Sequence, residues 1–208
     1  MSNGADRRLE VPPERIARWL TGFGERHGGV TEVTAGPDTV RYVAADGSRA
    51  ECRVPFPPLE GELAEHALRD RRVGVLLARL GGYAAGVFEG DRLVASKVGS
   101  RLVHGRSAAG GWSQHRFARR REKQAREALQ DAADVAVRIL TPQLAELDAV
   151  VLGGDRAAIE VLREDPRLAK VFGLAVEPFL TVPDPRLAVL RETPPKFRAV
   201  RILLHEPS

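Results

Sequence analysis

The first 70 residues show one helical pattern followed by several strand patterns. In PPERIARWLTGFGERHG, residues 12–28, apolar residues recur at helical spacing between a proline pair and a glycine pair. Three short apolar runs follow, VTEVTA, DTVRYVAA and SRAECRVPF, and the turn sequences GPD and ADG separate them. We therefore predict a helix, an antiparallel meander, a linker at FPPLEG and a short helix at ELAEHALRD.

The rest of the chain mixes strands and helices in a different order. RVGVLLARL and GGYAAGVFEGDRLVASKVGS predict three strands, the last two joined by the turn EGD. A long helix is predicted over about residues 115–140, where Thr141-Pro142 stops it. LDAVVLGGD predicts a buried strand that enters the helix RAAIEVLRE. LAVEPFLTV predicts a further strand, DPRLAVLRET a helix, and KFRAVRILLH a final strand or helix.

These patterns predict two regions of α+β or α/β class. Residues 1–70 form a small N-terminal region, a helix with antiparallel strands, which is a candidate docking module. Residues 71–208 form a domain with a mixed sheet and flanking helices, and we expect this domain to carry the chemistry.

Positive charge is concentrated in one window of the chain. The 208 residues include 32 Lys or Arg and 28 Asp or Glu, for a net charge of +4. Residues 97–126 hold nine Lys or Arg and one acid, a formal charge of +8, whereas the rest of the chain carries −4. A charge run is usually a solvated face, but its position beside a glycine-rich loop favours an anionic partner such as RNA.

The composition argues against several classes of protein. A single cysteine, Cys52, excludes an internal disulfide framework and fits a reducing cytoplasm. The N-terminal MSNGADRRLE lacks the apolar core of an export signal, and the most apolar run is broken by Arg79 and glycines. We therefore expect a cytoplasmic protein without a membrane span.

The sequence holds no pattern typical of a metal or nucleotide site. It has no zinc-type ligand spacing, its histidines form no pair at helical spacing, and its first strand of the second region lacks the carboxylates of a metal nuclease. LGGDR hints at a phosphate loop but lacks the lysine of that motif, and a glycine pair at a strand end is common. We predict neither a metal nor a cofactor.

The predicted long helix has a basic side and an apolar side. At 100° per residue, five basic residues fall within an arc of about 120°. We call this set the basic rail; it consists of Arg116, Arg119, Arg120, Lys123 and Arg126. The opposite arc holds Phe117, Ala125, Ala128, Ala132, Val135 and Ile139, together with Arg121, which breaks the pattern.

The start of this helix suggests a chemistry. Ser113 is a good N-cap residue, which would make Gln114 the first helical residue. The backbone N–H of Gln114 could then stabilise a developing oxyanion, and its side chain could orient a water molecule. An amide cannot act as a general base, so any catalysis here works by positioning and electrostatics. The alternative is a polar residue that simply opens a helix.

The segment HGRSAAGGWSQHRFARRREKQAREAL, residues 104–129, resembles the catalytic loop and following helix of the middle domain of eukaryotic and archaeal class-I peptide-release factors. HGR matches the lead-in, and RFAR with EK matches the helix. The hairpin before the loop and the strand AVVLGGD also resemble that domain, over roughly residues 72–204. Release factors carry GGQ where this chain has GGWSQ. A serine before the glutamine resembles the VLRF family of peptidyl-tRNA hydrolases of ribosome quality control, and its actinobacterial branch fits best.

The resemblance implies a ribonuclease H-like topology and a definite reaction. The substrate would be the ester between a nascent peptide and tRNA, and the protein would rescue stalled ribosomes. Gln114 would be the catalytic residue that places the attacking water and stabilises the tetrahedral intermediate. The flexible loop would comprise Gly110, Gly111, Trp112 and Ser113, with Trp112 either stacked on a base or packed as an anchor. RNA contacts would come from Arg106, His115, Arg116, Arg119, Arg120 and Lys123.

The resemblance also implies partners. They are the large ribosomal subunit and peptidyl-tRNA, with no membrane partner, and we expect a monomer. The substrate could sit on a split large subunit, on a whole ribosome or in free solution. The altered loop keeps a second hypothesis open, a non-catalytic ribosome- or tRNA-binding factor that retained the basic rail.

Overall fold

The computed structural model describes residues 6–79, 81–100 and 113–207, and within these it describes residues 113–126 by their backbone alone. The chain divides into two compact units. The first unit consists of Met1–Asp70 with Pro194–Ser208, and the second of Arg71–Thr193. Among the described residues, no helix is both long enough and apolar enough to cross a bilayer.

The strands, in chain order, are β1 (Asp6–Val11), β2 (Val30–Ala35), β3 (Thr39–Ala44), β4 (Arg49–Arg53), β5 (Arg72–Arg79), β6 (Gly82–Glu89), β7 (Arg92–Ser100), β8 (Ala149–Gly154), β9 (Ala175–Leu180) and β10 (Val200–His205). The helices are α1 (Pro13–Arg26), α2 (Leu63–Leu68), α3 (Ser113–Leu140), α4 (Arg156–Arg163), α5 (Ala169–Gly173), α6 (Leu187–Arg191) and α7 (Pro194–Arg198). Short 3-10 turns lie at Thr141–Gln143 and Pro166–Leu168.

The first unit is an antiparallel sheet of five strands, in the order β1-β10-β4-β3-β2. One face of this sheet packs on α1, whose Ile16 and Phe23 are fully buried against residues such as Cys52 and Ile202. Those two helical residues lie seven apart, on one stripe of the helix, as the apolar spacing predicts.

Two strands of this sheet differ from the sequence analysis. β1 was not predicted, because charged residues dominate it and only Leu9 and Val11 face the core. β10 is the last strand of the chain, and it inserts between β1 and β4. Residues 194–208 therefore lie in the first unit, whereas the sequence analysis placed them in the domain that begins at residue 71.

The second unit contains a mixed sheet in the order β7-β6-β5-β8-β9. β5, β6 and β7 pair antiparallel, whereas β8 pairs in parallel with both β5 and β9. α3, α4 and α5 contribute to the core on one face, and α6 contacts β6 and β7. The predicted fold class is confirmed: the second unit is a mixed sheet with flanking helices, and a small α+β unit accompanies it.

Candidate functional site

The predicted site residues lie in the connection between β7 and α3. Those that fall outside the described residues are Arg106, Gly110, Gly111 and Trp112. Those that lie in α3, where the backbone but not the side chain is described, are Ser113, Gln114, His115, Arg116, Arg119, Arg120 and Lys123. The structure thus describes the two supports of the loop, namely the end of β7 and the helix α3.

The first support places the loop at a particular edge of the sheet. β5, β7, β8 and β9 run in the same direction, because β6 is antiparallel to both β5 and β7. Their carboxyl ends therefore lie along one edge, and the connection 101–112 leaves from Ser100 at that edge. Sheets with α/β connections commonly bind ligands outside the carboxyl ends of their strands, so this is a favourable place for a functional loop.

The second support, α3, begins at Ser113. Gln114 becomes the second helical residue. Its backbone N–H is one of the first four N–H groups of the helix, which have no acceptor within the helix. The positive end of the helix dipole therefore lies at Gln114.

The described half of α3 packs on the sheet through small residues. Its buried residues are Ala128, Leu129, Ala132, Ala133, Ala136 and Leu140. By helical geometry this stripe is rotated by about 60° from the predicted one, because Val135 and Ile139 are only half-buried whereas Ala133 and Ala136 are buried. The alanines present little side-chain volume, so the helix can approach the sheet closely.

The far end of α3 is held firmly. Leu140 is fully buried and packs over Gly74, where an added Cβ would lie 3.2 Å from the leucine Cδ2 atom. Just beyond the helix, Arg72 donates hydrogen bonds to Gln143 (2.6 Å) and Glu89 (2.5 Å). The turn after α3 is thereby tied to the start of β5 and the end of β6.

A further brace holds the C-terminal half of α3. Arg167 lies 2.8 Å from the carboxylate of Asp134 on α3 and 2.7 Å from that of Asp165. Hydrogen bonds from Arg167 lower the pKa of Asp165 below its usual range. No local sequence pattern indicates this brace, because Asp134 and Arg167 are far apart in sequence and no motif connects them.

The length of α3 matters for the loop. A helix of 28 residues is about 42 Å long, whereas a strand of eight residues such as β5 spans about 27 Å. Since Leu140 lies beside Gly74 near the start of β5, the other end of α3 extends beyond the carboxyl edge of the strands by roughly 10 Å or more. This end carries Gln114.

The glycine pair at 153–154 has a structural explanation. Gly154 has a φ of +101°, and an added Cβ would lie 2.2 Å from the carbonyl oxygen of Ala78. At Gly153 an added Cβ would lie 2.6 Å from the carbonyl oxygen of Leu180. Asp155 then caps α4 by accepting a hydrogen bond from the N–H of Ala157. The close approach of three strands accounts for LGGD without a phosphate ligand.

A serine, a histidine and an aspartate also meet in the first unit. Asp46 lies 2.8 Å and Ser48 3.0 Å from the Nδ1 atom of His27. In a hydrolytic triad the nucleophile and the carboxylate contact different nitrogens of the imidazole. Here they share one nitrogen, so the cluster is an anchor for the end of α1.

The remaining candidate ligands form no metal site in the described part of the chain. No group of three or more His, Cys, Asp or Glu side chains is close enough there to hold an ion. Both ring nitrogens of His66 are engaged, with Pro55 and Glu60. Cys52 is fully buried, and burial raises the pKa of its thiol to about 12.

Two solved structures are similar to parts of this chain. The archaeal translation termination factor aRF1 is 14% identical, with 91% of this chain and 63% of that chain covered and a TM-score of 0.48. An archaeal protein is 13% identical, with 73% of this chain and 48% of that chain covered and a TM-score of 0.44. The chain thus spans 63% and 48% of the lengths of these two proteins. A search of the curated proteins finds no match.

A family model matches a larger part of the chain than the second unit alone. The model describes the Actinobacteria/chloroflexi VLRF1 release factor, acVLRF1, and it matches residues 71–203. The match starts where the second unit starts, includes the whole connection from β7 through α3 to β8, and ends within β10. Because this span is well over half of the 208 residues, the chain belongs to the acVLRF1 release-factor family.

Proposed function

We propose that this release-factor-like translation protein is a peptidyl-tRNA hydrolase that rescues stalled ribosomes. The observation that carries the proposal is the position of the sequence GGWSQ in a family match that includes both supports of its loop. The loop leaves the carboxyl edge of the sheet and returns through a helix anchored at its far end. Such an arrangement suits a reactive group that must reach into a confined site.

Gln114 would carry the chemistry. As the second residue of α3, it has a backbone N–H that no carbonyl of the helix accepts, and the helix dipole favours negative charge there. This N–H is suited to stabilise the oxyanion of the tetrahedral intermediate, while the side-chain amide orients the attacking water. Gly110 and Gly111 would let the loop approach the ester closely.

The basic rail would bind RNA. Its charges lie on the same helix as Gln114, from about half a turn to about 3.3 turns after it. Contacts to phosphates would hold the helix in place on the large ribosomal subunit or on the tRNA and would add affinity without sequence specificity. We propose that the protein acts in the cytoplasm as a monomer, and that Trp112 stacks on a base or anchors the loop.

A single-turnover assay with stalled ribosomal peptidyl-tRNA tests this proposal. Gln114→Ala should lower the rate of peptide release by about 10²–10³ at equal ribosome occupancy. Gln130→Ala is the matched control, since Gln130 is exposed on the same helix and, among the residues that the structure describes, its side chain donates only to Asp134, at 3.2 Å. Wild-type release by Gln114→Ala would refute the catalytic assignment.

Gln114→Pro separates the main chain from the side chain. Proline lacks the N–H but is tolerated in the first turn of a helix, where the second helical residue lies. A rate below that of Gln114→Ala indicates that the N–H carries the oxyanion. Equal rates for the two variants place the whole contribution in the side chain.

One feature of the loop favours a second function. Two residues, Trp112 and Ser113, separate the glycine pair from Gln114, whereas release factors carry GGQ. A non-catalytic ribosome- or tRNA-binding factor would keep the basic rail and tolerate this change. It would bind ribosomes with normal affinity and release no peptide in the same assay.

A further inference from the structure

The sheet of the first unit has two unlike faces. α1 covers one face, and the side chains of the other face alternate with the buried ones along each strand. In β4, for example, Ala50 and Cys52 are buried, whereas Arg49 and Arg53 are exposed. The second face carries six basic residues on four of its five strands, and we call it the arginine face. They are Arg8, Arg41, Arg49, Arg53, Arg201 and His205.

The acidic residues of this face already have neighbours. Glu51 pairs with Arg41 (2.9 Å), and Asp6 pairs with His205 (3.0 Å). Glu32 accepts a hydrogen bond from Thr34, and Glu10 lies opposite Arg201 in the register of β1 and β10. Each of these four acids therefore has a neighbour other than Arg8, Arg49 or Arg53.

Three arginines of the face remain available. Arg8, Arg49 and Arg53 are exposed, and no side chain of the three makes a hydrogen bond or an ion pair with a residue that the structure describes. Arg53 also lies directly opposite Arg201 in the register of β4 and β10. Like charges in this position destabilise a sheet, and a bound anion would relieve the repulsion.

The spacing of these three arginines fits an extended anion. Arg49 and Arg53 are four residues apart on one strand, which is about 13 Å. Arg8 lies two strands away from both, halfway between them in register, at a distance of about 12 Å. One phosphate group cannot touch all three side chains at these distances, whereas the backbone of a folded nucleic acid presents several phosphates over such an area.

We propose that the arginine face binds the phosphate backbone of RNA without reading its sequence. The face holds no Phe, Tyr or Trp, so it lacks stacking platforms for bases and the aromatic anchors that dominate contacts between proteins. Its apolar side chains, Val43 and Leu203, are half-buried. The choice of RNA rests on the proposed function, because peptidyl-tRNA and the ribosome are the partners of the second unit there.

The binding surface would give the first unit a role. The family match begins at residue 71, so most of the first unit lies outside it. A second RNA contact on a separate unit raises the effective concentration of the catalytic loop at its target, because both units belong to one chain.

The test compares two triple variants of the full chain. Arg8→Ala/Arg49→Ala/Arg53→Ala removes the available arginines of the face. Arg15→Ala/Arg18→Ala/Arg26→Ala removes three exposed arginines of α1, on the covered side of the sheet, for the same change in net charge. The probe is a 5′-labelled RNA duplex of about 16 base pairs and arbitrary sequence, titrated by fluorescence anisotropy over a series of KCl concentrations.

The face variant should bind the duplex at least about tenfold more weakly at 0.1 M salt. The slope of log K against log salt should fall by about two to three, since each lost phosphate contact contributes about 0.7–0.9. The corresponding lysine triple should regain most of the affinity, because a phosphate accepts either cation. Thermal unfolding should be unchanged or slightly raised, because the three side chains have no described partner to lose.

Equal effects of the two alanine triples would overturn the proposal, because net charge alone would then explain binding. Unchanged binding by the face variant would overturn it as well. Displacement of the duplex by polyglutamate as effectively as by unlabelled RNA would also overturn the proposal, because the face would then bind an acidic protein. Peptide release by Gln114→Ala is measured separately, so a failure of the hydrolase proposal leaves the binding result intact, and the reverse also holds.

Discussion

Replacing Gly154 by alanine should strongly destabilise the second unit. Gly154 ends β8, and its φ of +101° is a conformation that residues with a side chain rarely adopt. Strain of this kind costs about 1–2 kcal/mol for alanine. The same substitution would place a Cβ atom 2.2 Å from the carbonyl oxygen of Ala78 on the adjacent β5.

The overlap adds to the strain. Backbone atoms cannot rotate away as a side chain can, so β8 must move from β5 by roughly 1 Å, which typically costs 1–3 kcal/mol. The movement also weakens the hydrogen bond that the N–H of Asp155 donates to the same oxygen of Ala78, at 2.8 Å, worth about 1 kcal/mol. The total is about 3–6 kcal/mol, a large share of the stability of a domain.

Urea unfolding at 25 °C, followed by far-ultraviolet circular dichroism, measures this loss. Gly173→Ala is the matched control, because no atom lies within 4 Å of the added Cβ and its φ is ordinary. The control should change the free energy of unfolding by less than about 1 kcal/mol. A loss below 1 kcal/mol for Gly154→Ala would refute the packing argument. Lost anion binding at full stability would instead support the phosphate-loop hypothesis.

Three further predictions test other parts of the two cores. Leu140→Ala should lower the free energy of unfolding by about 3 kcal/mol, because Leu140 is fully buried at the end of α3; Val161→Ala, at a residue 46% exposed, should change it by less than about 1 kcal/mol. The Cys52 thiol, whose pKa burial raises to about 12, should react with Ellman's reagent at pH 8 only after denaturant is added, and rapid labelling of the native protein would contradict its burial. Asp46 accepts a hydrogen bond from the N–H of Ser48 and contacts His27, which lowers the pKa of its carboxyl group. Ionised Asp46 therefore contributes to stability above the ordinary aspartate pKa, and this contribution is lost as the pH falls through the lowered pKa of the folded state. The Tm difference between wild type and Asp46→Asn should accordingly shrink between about pH 7 and pH 3. A constant difference would show that folding does not favour the ionised form.

The second unit could be predicted from the sequence because its signals are local. β5 and β8 are nearly continuous apolar runs, and their neighbours are bounded by glycine turns. The first unit depends on pairing between the two ends of the chain. Asp6 pairs with His205, and no periodicity within residues 6–11 indicates that partner. The sheet assignment of β10 was missed for the same reason.

The packing of α3 shows a different limit of sequence analysis. Alanine carries a weak hydrophobic signal, so the predicted apolar arc included Ala128 and Ala132 together with Val135 and Ile139 but left out Ala133 and Ala136. The helix instead turns its alanines and Leu140 toward the sheet, because small residues allow closer contact with β6 and β7. The loop chemistry came from a motif and not from periodicity, since a single glutamine has no pattern of its own.

The start of α3 changes how the two extra residues of GGWSQ should be understood. If Trp112 and Ser113 both belonged to the loop, Gln114 would sit farther from the glycine pair by up to about 7 Å of extended chain. Ser113 is helical, however, and a helical residue adds only about 1.5 Å along the axis. Ser113 therefore adds little to the separation between the glycine pair and Gln114. Gln114 lies in the first turn of the helix, so its N–H points along the helix axis. If the protein is the hydrolase that we propose, catalysis through the main chain of Gln114 should be less sensitive to the altered loop than catalysis through its side chain. The proline and alanine variants measure this distinction.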